Sequence, residues 1–206
     1  MIHENVLQRT PEWEELRKGR ITGSKLAGLI TNRGTGRKIG FYTLIAERLG
    51  AVDDDDQSSS RERGSELEAD GIAKFTEKTG KEVRQVGFIT SDENPNMALS
   101  PDGVVYDKDT ISEAVEIKCL SASKHVKAII ENDIPSEYEE QAIQYFVVIP
   151  TLKTLHVVLY DPRIVAKPLV TFEIHREDKE SEISAMIELE KSILAEVDKY
   201  VEELSF

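Results

Sequence analysis

The stretches SPDGV (residues 100–104) and VEIKC (residues 115–119) hold an acid next to a proline, then an acid and a lysine two positions apart. If residues 111–120 form a strand, side chains alternate, so Val115 and Ile117 face one side while Ala114, Glu116 and Lys118 face the other. Asp102 lies on the preceding strand-like run across a short hairpin. Adjacent strands are ~4.8 Å apart, so an acid from each can meet over one spot. Two converging carboxylates suit a hard, oxygen-seeking cation such as Mg²⁺, and Ile117 between Glu116 and Lys118 offers its backbone carbonyl as a further ligand. A lysine beside the cation can hold or polarise a water and stabilise negative charge on a phosphoryl oxygen. For acid-x-lysine alone the stronger reading is a plain cross-strand salt bridge on a solvated face.

The elements around these stretches decide what can reach them. RTPEWEELRKG reads as a helix with Thr10 as cap, Pro11 in its first turn and Gly19 at its stop. ITGSKLAGLI reads as a second short helix, TNRGTGRK as a Gly-rich basic loop, and IGFYTLIAERLG as a third helix closed by Gly50. DDDDQSSS is a polar loop within one domain. RERGSELEADGIAKFTEKTG is a long helix. Three strand-like runs follow, KEVRQVGFIT, MALSPDGVVYD and ISEAVEIKCL. Then come a helix over SKHVKAIIEN and another over PSEYEEQAIQYFVVI with Pro135 at its start. LKTLHVVLYDP and LVTFEIH are two more strands. A long amphipathic helix carrying Ile183, Ile187, Leu194, Val197 and Val201 at helical spacing closes the chain. The order predicts a single α/β (α+β) domain over 1–206, with a mixed central β-sheet flanked by helices.

With 206 residues and 39% hydrophobic content, the chain can bury a sizeable core. No stretch approaches the ~20 apolar residues needed to cross a bilayer, and the N-terminal residues do not read as a signal peptide. One cysteine, Cys119, allows no intrachain disulfide and fits a reducing cytoplasm; the histidines show no zinc-ligand spacing. The net charge of −13 argues against nucleic acid. Its distribution argues otherwise, since residues 16–46 hold seven basic residues and no acid, while residues 173–206 hold eleven acids against four Lys and Arg. An acidic chain can still offer a basic surface, although a solvated face is the ordinary explanation of a charge run.

Taken in order, EWEELRKGRITGSKLAGLI, RGSELEADGIAKF, SPDGV, VEIKC, YEEQAIQYFVV and LYDPR resemble the PD-(D/E)xK nuclease superfamily, and within it the YqaJ-like viral recombinase (phage lambda exonuclease) family. The resemblance spans nearly the whole chain and implies a restriction-endonuclease-like core. It implies that Asp102, Glu116 and the Ile117 carbonyl ligate Mg²⁺, with Mn²⁺ as a substitute, and that Glu68 completes the metal site. Lys118 would position the attacking water, and Gln141 would orient the nucleophile or the scissile phosphate. Arg17 and Ser24 would hold a terminal 5′ phosphate, by a bidentate guanidinium and near a helix start, with Arg20, Arg37 and Lys38 as further DNA contacts. Glu66 competes with Glu68, and Gln144 with Gln141. Two departures stand out: Leu120 occupies a position where many relatives carry proline, and the two glutamines are three apart where two is usual.

The activity so implied is 5′-to-3′ digestion of double-stranded DNA from its ends by a homotrimeric ring in the cytoplasm of a phage-bearing host. The 3′ overhang would pass to a single-strand annealing protein for recombination. Two other readings compete: an endonuclease or other nuclease on the same core, and a non-catalytic DNA-binding scaffold. An iron–sulfur variant needs four cysteines, which this chain lacks.

Overall fold

A computed structural model describes residues 1–3, 5–29, 36–51 and 58–205, the side chains of 58–66 excepted. The basic loop around Arg33 and the acidic run 53–56 lie outside the described residues. The chain opens with β1 (Ile2–His3) and α1 (Pro11–Arg17), whose cap Thr10 accepts the Trp13 N–H. ITGSKLAGLI is not a helix. It forms β2 (Ile21–Thr22) and a 3₁₀ turn (Leu26–Gly28), because Ile21 and Thr22 pair in parallel with Met97 and Ala98. Helices α2 (Ile39–Arg48) and α3 (Ser58–Thr79) follow.

The expected three-strand meander divides differently. KEVRQVGFIT contributes only β3 (Phe88–Thr90), and MALSPDGVVYD splits into β4 (Met97–Leu99) and β5 (Gly103–Asp107) at Ser100–Asp102. Pro101 has no N–H for a ladder, and the break leaves Asp102 between two sheets rather than within a strand. Next come β6 (Thr110–Lys118), α4 (Ala122–Glu131), a 3₁₀ turn (Ser136–Tyr138) and α5 (Glu139–Val148). The helix expected from Pro135 thus opens as a 3₁₀ turn. Strands β7 (Thr154–Tyr160) and β8 (Leu169–His175) and helix α6 (Glu180–Leu204) complete the chain.

Two four-stranded sheets result, ordered β1-β3-β4-β2 and β5-β6-β7-β8. In the second, β6 is antiparallel to β5 and parallel to β7, so α4 and α5 form the crossover that parallel neighbours require. One face of β6 meets the main core of α2, α5 and α6; the other presents Val115 and Ile117 to Phe75, Ile72 and Leu67 of α3. Burying a side chain such as Phe75 contributes about 2 kcal/mol. Helix α3 sits low on the sheet at Gly71, where a Cβ would come 2.9 Å from Ile117 Cγ2. Glu68, three residues earlier on α3, is thereby carried towards the end of β6.

Behind α5, Gln144 and Glu190 of α6 are both wholly buried, with Gln144 Nε2 donating to Glu190 Oε2 at 3.3 Å and to the Ala98 carbonyl at 3.4 Å. Among the described residues neither Oε1 atom has a hydrogen-bond partner. Burial pushes the Glu190 carboxyl up to about 8, with the Gln144 amide opposing it. The folded state therefore holds a proton that the unfolded chain releases near the ordinary value of 4.5, and this group's contribution to stability is lost as pH rises from about 4.5 to about 8. Glu190→Gln is expected to stabilise the protein by a few kcal/mol at pH 8 and to have a much smaller effect at pH 4.5, read by chemical denaturation at both pH values. Gly87→Ala is expected to destabilise it by about 2 kcal/mol or more, because the added Cβ would lie 1.7 Å from the Val6 carbonyl oxygen; thermal unfolding checks it.

Candidate active site

The site forms at the C-terminal end of β6, beside a parallel neighbour, where open α/β sheets commonly bind ligands. The last β5–β6 pair is Gly103 with Val115, so β6 has outrun its partner at Glu116. The Asp102 carboxylate takes over there, its Oδ2 accepting the Ile117 N–H at 2.7 Å. Asp102 thus reaches the edge of the strand that carries Glu116 and Lys118.

Glu116 is 6% exposed and fully engaged. Gln141 Nε2 donates to its Oε1 at 2.7 Å, Lys118 Nζ lies 2.7 Å from the same oxygen, and the Tyr145 hydroxyl donates to Oε2. Lys118 Nζ also donates to Gln141 Oε1 at 2.8 Å and sits 4.5 Å from the centre of the Tyr138 ring. Gln141 therefore bridges the acid and the lysine through both ends of its amide. Gln144 turns away from the site, into β4 and α6. On a helix of ~100° per residue, Gln141 and Tyr145 share a face, and Gln144 lies ~60° away from Gln141 on the other side. Tyr145 was legible in that i, i+4 spacing; Tyr138 was not, because its contact depends on how the 3₁₀ turn enters α5.

Electrostatics mark the same spot. Burial raises the Asp102 carboxyl well above the ordinary carboxylate range, helped by the charges of Glu116 and Glu68 and opposed by the Ile117 N–H and Lys118. Burial alone would lower the Lys118 ammonium, but Glu116 and Asp102 hold it above the usual lysine value, so Lys118 is a hydrogen-bond donor rather than a base. Burial and Glu116 likewise push the Tyr145 phenol well up, which keeps it a donor.

A cavity of about 170 Å³ adjoins Asp102, Glu116, Gln141 and Tyr145 and extends to Arg17, Ser24 and Ser100. Arg17 Nη2 donates to Ser24 Oγ at 2.8 Å while its guanidinium stacks 4.3 Å from the centre of the Trp13 ring. Trp13 Nε1 donates to Ser100 Oγ at 2.8 Å, so the tryptophan is a fixed platform for the arginine. Ser24 is reached through the β2–β4 pairing that replaced the expected helix. Glu68 lines a neighbouring cavity of about 260 Å³ that it shares with Asp102, and its Oε2 accepts from Arg9 at 2.6 Å. The side chain of its competitor Glu66 lies outside the described residues.

The other basic candidates stand apart from this cavity. Arg20 bonds to the Leu16 and Pro95 carbonyls, Arg37 pairs with Glu196 of α6, and Lys38 donates to the Ala27 carbonyl at 2.7 Å. Lys25 is held between Glu47 and the Arg17 carbonyl. Lys25 and Arg37 are thus neutralised by acids of the molecule, whereas Arg20 and Lys38 are held by carbonyls.

Asp102, Glu116 and Glu68 with the Ile117 carbonyl offer hard oxygen donors, and their mutual repulsion around a half-buried Asp102 is what a cation relieves. The set fits a divalent cation in donor type and charge. As the side chains stand, no three His, Cys, Asp or Glu groups among the described residues converge on one point. Each acid is bonded to a protein donor instead, Glu68 to Arg9, Asp102 to Ile117 and Glu116 to three side chains. Among the described residues no helix is long and apolar enough to cross a membrane.

Comparison with known proteins bears on the fold and the family. The fold resembles an alkaline exonuclease (LHK-Exo) from Laribacter hongkongensis, with a TM-score of 0.83 and 27% identity over 95% of this chain and 96% of that one. The same enzyme in complex with dAMP matches equally. A phage-related exonuclease from Haemophilus somnus 129PT shares the fold at a TM-score of 0.55 and 16% identity, over 97% and 95% of the two chains. No curated protein sequence matches the chain. The profile of the YqaJ-like viral recombinase domain matches residues 12–151, from the tryptophan helix through the glutamine helix. The chain belongs to the YqaJ-like viral recombinase family, with the mixed α/β fold of the phage-type alkaline exonucleases.

Proposed function

We propose that this protein is a Mg²⁺-dependent exonuclease that digests double-stranded DNA from 5′ ends, leaving a 3′ overhang for annealing-type recombination. The observation that carries the reading is one amide, Gln141, tying Glu116 to Lys118 beside a cavity whose far wall is the Arg17–Ser24 pair. Asp102, Glu116, Glu68 and the Ile117 carbonyl would hold the cation; Mn²⁺ has the same preference for oxygen ligands. Bound there, it would neutralise charge on the scissile phosphate and favour attack by water. Lys118 donates to the attacking water or to a phosphoryl oxygen, and Gln141 keeps its ammonium aimed. Arg17 and Ser24 take the terminal 5′ phosphate, for which a guanidinium fork and a hydroxyl are suited donors.

Attack at the first internucleotide phosphorus breaks its bond to the 3′ oxygen of the terminal nucleotide. A 5′ mononucleotide leaves, and the new end carries a 5′ phosphate. The feature that Arg17 and Ser24 bind is thus regenerated at each turn, which supports repeated removal from one end. The homologue's complex with dAMP supports a deoxynucleotide as the product. A ring of three subunits and a single-strand annealing partner belong to the same reading, by family membership.

The test is incubation with linear duplexes bearing 5′ phosphate or 5′ hydroxyl and with a closed circle, in Mg²⁺ and in EDTA. Loss of the phosphorylated linear DNA alone, abolished by EDTA, is the expected result; cleavage of the circle would make the enzyme an endonuclease. Arg17→Ala is expected to erase the phosphate preference, worth roughly 10- to 100-fold in initial rate for a charge-assisted hydrogen bond. Lys118→Ala is expected to lower kcat by about 10²- to 10³-fold, measured on the same phosphorylated duplex; retained digestion would overturn the role of Lys118.

A further inference from the structure

Arg9 has no part in the proposed reaction, yet its surroundings are built to place it. The segment before α1 lies against Gly87 so closely that any Cβ there would collide with the Val6 carbonyl. Gln8 Nε2 donates to the Pro101 carbonyl at 2.8 Å, anchoring the segment to the residue just before Asp102. Arg9 itself has φ of 68°, a left-handed conformation that costs a non-glycine residue about 1–2 kcal/mol. Strain of this kind persists where the surrounding structure imposes it, and it often accompanies function. It aims the guanidinium at Glu68 Oε2, 2.6 Å away, on the wall of the 260 Å³ cavity that also reaches Asp102.

A guanidinium fork serves a carboxylate and a phosphate equally well in geometry. The Arg9–Glu68 pair is partly exposed, with side-chain accessibilities of 42% and 27%, so it can exchange partners at little cost. Glu116, by contrast, is itself buried and held by three side-chain donors at once. Of the three acids around the site, Glu68 is the one whose partner can leave.

The geometry points to Arg9 as a positioning residue that withholds Glu68 from the cation until DNA arrives. A backbone phosphate of the substrate strand entering the 260 Å³ cavity takes the guanidinium, and Glu68 turns to complete the oxygen set with Asp102 and Glu116. Cation binding and DNA binding are then coupled, each strengthening the other, as linkage requires. The free enzyme holds its cation weakly and is spared a fully charged, idle site. This inference rests on the proposed assignment of Asp102, Glu116 and Glu68 to the cation.

The experiment is calorimetric titration of the full chain with Mn²⁺, with and without a short duplex whose ends carry non-hydrolysable phosphorothioate linkages. Arg9→Gly accepts the left-handed backbone without strain. Without DNA it is expected to bind Mn²⁺ on the order of tenfold more tightly than the wild type, the effect of removing one nearby positive charge at intermediate dielectric. DNA should tighten Mn²⁺ binding to the wild type and do so less for the variant. Should Arg9→Gly melt below the assay temperature, Arg9→Gln makes the same comparison. Unchanged or weaker Mn²⁺ binding by the folded variant overturns the proposal, as does an equal effect of DNA on both proteins. Asp102→Asn separates the two layers, because Mn²⁺ binding that survives that substitution overturns the cation-site assignment itself, whatever Arg9 does.

Discussion

Carboxylates gathered in a poorly hydrated place repel one another, and that repulsion organises the rest of the molecule. Asp102 is half-buried near Glu116 and Glu68, and its carboxyl is driven up by desolvation and by both neighbours. Leaving charge uncompensated in such a place is expensive, so every acid has found a donor. Lys118, Gln141 and Tyr145 serve Glu116, the Ile117 amide serves Asp102, and Arg9 serves Glu68. The protein tolerates the arrangement because compensation comes from several separate elements at once.

Those elements converge through ordinary packing. Strand β6 runs through the second sheet with α3 on one face and the main core on the other, and it ends where its β5 partner has not yet begun. Gly71 lets α3 approach Ile117, and the β2–β4 pairing holds Ser24 across from the acids. Helix α5 turns Gln141 and Tyr145 towards the site while Gln144 goes to the core with Glu190. One helix thus sends a glutamine to the site and another to its packing interface.

The charge balance also takes on a structural meaning. On the proposed reading a chain of net charge −13 meets a polyanion, and within its basic segment Lys18, Lys25 and Arg37 are paired with Glu15, Glu47 and Glu196. Long-range attraction is therefore a weak source of DNA affinity here. On the proposed reading, local recognition at Arg17 and Ser24 carries more of the binding, which suits an enzyme that works at an end rather than along a duplex.

The amino-acid sequence by itself determined which residues could do the chemistry. The alternation along VEIKC put Glu116 and Lys118 on one side, Asp102 stood beside a chain-breaking proline, and the ordered motifs gave the family. Side-chain period and proline's missing N–H are local properties, legible without a fold. The sequence also read correctly as a mixed α/β domain, since helix and strand periods are local too. It did not show that ITGSKLAGLI would pair as a strand, that the run around Asp102 would split between two sheets, or that Arg9 would meet Glu68. It left Gln141 and Gln144 as alternatives, and the structure gives them different partners, Gln141 meeting Glu116 and Lys118 and Gln144 meeting Glu190. Each of these depends on partners distant in the chain, on a helix's rotation about its axis, or on how closely two backbones approach. Only tertiary packing fixes those.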